Sequence, residues 1–190
     1  MGELARGRGL LAMMASAALL GACAGGEHRL APGQSAGDLD ELLAFKNPAE
    51  CEPGKPLKTL YDTMAVYDAA FQPQPRRPDL PARFAKAAGE PTTISRSADH
   101  AVISMALRGR WKGLPVQAVE GIYGIQSDAF GLAIVFDAPL ARTQATLREN
   151  GFANGKTEPS NAGVTENSAF GRAEVTGDER TSRLVCDWGL

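Results

Sequence analysis

The sequence predicts an α+β fold, and three observations carry that prediction. His100–Trp111 (HAVISMALRGRW) and Phe130–Phe136 (FGLAIVF) repeat their apolar residues with period two, as strands in a sheet do. Segments of helical period stand before and after this strand-rich stretch. Strand and helix therefore do not alternate along the chain, as a doubly wound parallel sheet requires. The expected architecture is a mainly antiparallel sheet: a three-strand meander plus a C-terminal hairpin. It packs with N-terminal helices and with one helix near 138–150.

The chain opens on a short polar start with Arg6 and Arg8, followed by the apolar run Gly9–Ala22 (GLLAMMASAALLGA). That run is shorter than the roughly 20 residues a membrane-spanning helix needs. A basic start, an apolar run and small residues at its end are the parts of a signal peptide. The closing Leu20-Gly21-Ala22-Cys23 resembles the lipobox of bacterial lipoproteins. The resemblance implies that the peptide is cut before Cys23. Its thiol then receives a diacylglycerol, and its new amine is acylated with a fatty acid such as palmitate. Cys23 would thus anchor the protein to a membrane. Arg6-Gly7-Arg8 is not a twin-arginine pair, which implies the general secretion route. Ala24 stands where an Asp favours the inner membrane, and so resembles the outer-membrane default, facing the periplasm. The domain plan is then residues 1–22 as signal peptide, 23–37 as a flexible tether and 38–190 as one globular domain. Gly, Ala, Pro and Ser dominate the tether (AGGEHRLAPGQSAG), and His28 within it reads as solvated.

Beyond the tether, Asp38–Phe45 reads as a short helix, with Asp38 and Glu41 as a capping box and Leu39, Leu42 and Leu43 on one face. Asn47-Pro48 ends it, and Cys51 falls in a loop. Leu57–Phe71 reads as a longer helix that buries Leu57, Leu60, Met64 and Phe71. The four prolines of Gln72–Pro81 enforce extended chain, with Arg76 and Arg77 as a basic spot. Pro81–Ala88 holds a short helix and Thr92–Ser95 a short strand. His100–Trp111 turns at Lys112-Gly113 into a strand over Pro115–Ile125, where Gly121 and Gly124 suggest a bend. Phe130–Phe136 is the most apolar strand and belongs inside the sheet. Asp137 reads as the cap of the helix after it, with Pro139 in its first turn. Asn150-Gly151-Phe152 closes that helix as a Schellman ending. Arg172–Thr176 and Ser182–Trp188 form the terminal hairpin.

Composition narrows the function. The net charge is −2, and removing the leader with Glu3, Arg6 and Arg8 makes it −3. No concentrated basic surface results, so nucleic acid is not an expected partner. Hydrophobic content of 44% fits a folded domain, while 6% aromatics is thin for a stacking platform. The chain has no HExxH, CxxC, EF-hand loop or Walker A sequence. No metal site and no cofactor are expected. Ser95, Ser97, Asp99 and His100 lie close in sequence, but neighbouring strand residues face opposite ways, which argues against a triad. Glu120, Asp128 and Glu149 are the acids a glycosidase pair would draw on, and Glu120 reads as solvent-facing. On export, Cys51 and Cys186 are the only partners left for each other, and a disulfide is expected. Arg108, Arg110 and Lys112 form the one basic cluster with shape, suited to an envelope protein or an anionic polymer. The reading is a non-catalytic, lipid-anchored interaction domain. A small-ligand carrier is the alternative, and an enzyme with an unrecognised site the third.

Overall fold

The computed structural model describes residues 37–127, 129–152 and 172–188. In chain order the elements are β1 (Gly37–Asp38), β2 (Phe45–Asn47), a 3-10 turn (Pro48–Glu50), β3 (Glu52–Pro53), α1 (Lys55–Thr63), β4 (Ala65–Tyr67) and β5 (Pro73–Pro75). Then follow α2 (Ala82–Ala85), β6 (Thr92–Arg96), β7 (His100–Trp111), β8 (Leu114–Gly124), β9 (Phe130–Phe136), α3 (Leu140–Glu149), β10 (Arg172–Gly177) and β11 (Ser182–Asp187). The main sheet runs β1-β7-β8-β9-β11-β10, with β6 also on β7. Its pairs are antiparallel except β1 with β7, which is parallel. The α+β class is therefore correct.

The two alternating segments are the strands expected of them. On β7, Ile103, Met105, Leu107 and Trp111 are buried, while Arg108 and Arg110 are exposed. They turn through Lys112 (φ 48°) and Gly113 (φ 77°), the left-handed pair a two-residue hairpin needs. The expected bend at Gly121 and Gly124 lies elsewhere. Register shifts between Ala106 and Gly109 on β7, and between Val116 and Ala118 on β8. The alternation of β8 changes phase there, so Val116 and Val119 both face the core. Gly121 instead makes room for the Tyr123 ring, which lies over it. Gly109 admits β1: a Cβ there would sit 2.6 Å from the Gly37 carbonyl oxygen.

Buried residues of all three helices join those of β7, β8, β9, β10 and β11 in one hydrophobic cluster. α3 ends as its sequence dictates. The Phe152 N–H bonds the Leu147 carbonyl at 3.0 Å, the Gly151 N–H bonds Arg148 at 3.2 Å, and Gly151 takes φ 85°. Its start differs: Pro139 is the cap residue and no side chain caps it, so Asp137 does not serve that role.

Two expected helices are corrected. Asp38–Phe45 makes only a single turn, with the Leu43 N–H on the Leu39 carbonyl. Asp38 instead accepts the Asp40 N–H, and Glu41 pairs with Arg83, so no capping box forms. The three leucines are nonetheless buried, because one turn suffices to bring Leu39, Leu42 and Leu43 onto one side. The helix expected over Leu57–Phe71 stops at Thr63, and Ala65–Tyr67 leaves to pair with Pro73–Pro75. Asp68 turns the chain, its Oδ1 accepting the N–H groups of Ala70 and Gln72. Phe71, expected in the core, is 75% exposed at φ 56°.

Candidate functional site

Two cysteines join distant elements of the fold. Cys51 follows the 3-10 turn at φ 54°, and Cys186 faces the core from β11. They form a disulfide across 135 residues, Cα to Cα 5.6 Å. Trp188 donates its indole N–H to the Cys51 carbonyl at 3.2 Å. Cys23 and His28 lie outside the described residues, as do Asp128 and the tether up to Ala36.

Arg108 and Arg110 share the outward face of β7, as their spacing predicts. Lys112 is held back by Asp40: its ammonium lies 3.3 Å from Oδ2, and its N–H donates to Oδ1 at 2.6 Å. The sequence cluster is thus divided. The structure adds a cation that reading along the strand missed. Arg142, on α3, donates to the Gly113 carbonyl at 3.3 Å, and Arg110 donates to the same oxygen at 3.0 Å. Two guanidinium groups converge on the hairpin tip. Neither makes an ion pair among the described residues. No sequence signal links positions 32 apart on a strand and a helix, so only the fold reveals the pair.

The serine–histidine neighbourhood is built as a turn. The Ser97 hydroxyl accepts the N–H groups of Asp99 and His100, and donates to the His100 carbonyl. It lies 3.4 Å from His100 Nδ1. The Asp99 main-chain carbonyl takes up Ile125 N–H and the Ser127 hydroxyl. Among the described residues no carboxylate makes an ion pair with the His100 ring, so the orienting acid of a triad is not in place.

Glu120 is corrected as well. It is buried on β8 and paired with Arg183 of β11, reaching diagonally across β9, where Ala133 stands opposite Glu120 and Val135 opposite Arg183. Glu149 ends α3, whose buried Leu147 lies in the core cluster on the other face of the sheet. Glu120 and Glu149 therefore serve no common site. Around the Glu120–Arg183 pair, Ile94, Val102 and Val135 line a groove of about 460 Å³. A second depression of about 310 Å³ lies beside Pro78, Leu80 and Met105. Both open to solvent. No group of His, Cys, Asp and Glu with metal-binding spacing occurs among the described residues.

At the opposite end of β7 the structure displays aromatic side chains. Tyr67 and Val66 on β4 are exposed, and Phe71 caps the loop after them. The loop is braced. Asp68 Oδ2 accepts from Gln74, while Arg96 donates to Gln72 and to the Pro73 carbonyl. The Gln72 and Ala70 N–H bonds hold the Asp68 carboxyl below the usual carboxylate range. Comparison with known protein families, with curated proteins and with solved structures found no match to this chain.

Proposed function

We propose that the chain is a non-catalytic cell-envelope lipoprotein. Lipid at Cys23 holds it to the outer membrane, and the domain that begins near Gly37 faces the periplasm as an interaction module. The observation that carries this reading is the Cys51–Cys186 disulfide. A bond that joins the only two cysteines downstream of the lipobox suits an oxidising compartment, and export is what the N-terminal sequence implies. The domain's partners in this reading are an envelope protein or an anionic polymer. The His100 neighbourhood supports the non-catalytic part, since its serine and histidine are engaged in a turn.

The experiment is mass spectrometry of the N-terminal peptide, with labelled palmitate fed to the producing cells. The expected peptide begins at Cys23 and carries the diacylglyceryl and acyl masses, and Cys23→Ser abolishes the label. A peptide that retains Met1–Ala22, or one with an unmodified Cys23, overturns the reading.

A further inference from the structure

We infer that the pole bearing Arg108, Arg110 and Arg142 rests on the anionic phospholipid headgroups of the membrane that holds the anchor. The inference rests on the lipoprotein reading above. Its first support is where the chain enters the fold. Gly37 and Asp38 pair in parallel with Gly109 and Arg110, at the end of β7 next to the hairpin tip. Fourteen positions separate Cys23 from Gly37. Fully extended, that length reaches at most about 50 Å. His100, at the far end of β7, is ten residues from Arg110, or about 34 Å along the strand. The chain from Cys23 therefore enters the fold at the arginine pole and not at the opposite one.

The second support is charge. Arg110 and Arg142 both donate to the Gly113 carbonyl, so two like charges share one exposed neutral acceptor. Arg108 lies two residues from Arg110 on the same face. Nearby acids do not pair with them. Asp40 is taken by Lys112; Asp38, in register with Arg110, offsets part of its charge, but neither Asp38 nor Asp137 makes an ion pair with the three arginines among the described residues. A guanidinium keeps further N–H donors when one bond goes to a carbonyl, and its planar fork matches phosphate oxygens. A lipid headgroup is the phosphate that the anchor keeps at high local concentration. Each arginine near an anionic surface should raise its occupancy about fivefold, less at high salt.

The test is arginine footprinting with phenylglyoxal on the lipidated protein, reconstituted in two kinds of vesicle. One is phosphatidylcholine alone; the other contains phosphatidylglycerol. Modification of Arg108, Arg110 and Arg142 should slow severalfold on the phosphatidylglycerol vesicles and recover in high salt. Arg96, at the opposite end of β7, should react alike on both. An Arg110→Glu/Arg142→Glu double variant should lose the protection left at Arg108. Equal rates on both vesicles, with the protein still bound to each, overturn this inference and leave the anchor reading intact. Protein that carries no lipid by mass and leaves both vesicles overturns the anchor reading instead. Equal protection by inorganic phosphate in solution would assign the site to a soluble anion and overturn the membrane contact.

Discussion

Tyr61 and Tyr123 are two residues whose chemistry is set by the fold. Their rings stack 4.9 Å apart, and Trp188 packs edge-on against Tyr61. Each phenol donates to a main-chain carbonyl: Tyr61 to the half-buried Ile122 at 2.8 Å, Tyr123 to Tyr61 at 2.7 Å. Burial first, and then the nearby phenols, push both hydroxyls above the usual tyrosine range. A group whose folded value is raised contributes stability that is complete below its unfolded value and lost as pH rises beyond it. The unfolded value is about 10, so alkaline unfolding should begin near there. Near-ultraviolet absorbance should show both tyrosinates appearing together with loss of structure. Tyr123→Phe should lower stability at neutral pH by about 1 kcal/mol, for the lost hydrogen bond. It should also make the alkaline limb shallower. An alkaline limb of unchanged slope would contradict the assignment. This pair was not legible in the sequence. Helical spacing marked Leu60 and Met64 as buried, but the partner of Tyr61 stands 62 positions away, on a strand.

At the scale of elements, legibility followed how local the decisive interaction is. β7 and β9 have the bounds their alternation predicts, because period two is written into each strand itself. α3 ends where Asn150-Gly151-Phe152 says, because a Schellman ending needs only neighbours. α1 stops early because Ala65–Tyr67 finds partners in Pro73–Pro75, and pairing across a loop leaves no helical signature. The disulfide is the clearest consequence at this scale. It ties the turn before α1 to β11, and it closes a loop of 135 positions. Chain entropy for such a loop sets an upper figure of about 5 kcal/mol, and native bonds typically contribute about 2–5 kcal/mol. Reduction, or a Cys51→Ala/Cys186→Ala double variant, should therefore lower the denaturation midpoint strongly. Amide exchange should rise most around β2 and β3, which have few pairing partners of their own, and least in β8, which is paired on both sides. Uniform acceleration across the sheet would show that the bond holds the whole fold, not one corner of it.

For the molecule as a whole, the α+β class was legible and the assembly of its poles was not. Strand order brings Gly37 to the hairpin tip, and α3 brings Arg142 to the same place, though neither is adjacent to β7 in sequence. The other end of β7 lies near Gly124, whose carbonyl accepts the Tyr67 hydroxyl at 2.9 Å. The exposed Phe71 belongs to that end. Its left-handed backbone is disfavoured by about 1–2 kcal/mol, yet Asp68, Gln74 and Arg96 hold the loop that presents it. A strained residue with its ring in water adds little to the core, so stability does not explain its aromatic side chain. If lipid holds the arginine pole, Phe71 points away from the bilayer by roughly the length of β7, about 34 Å. That exceeds half the roughly 40–45 Å thickness of an entire bilayer, so the two poles sample different environments. Phe71→Trp in the lipidated protein, on vesicles with brominated phospholipids, tests this arrangement. After the signal of Trp111 and Trp188 is subtracted, the added fluorescence should be unquenched. Strong quenching would mean that the aromatic pole enters the membrane, and the orientation drawn from Gly37 and the arginines would have to be inverted.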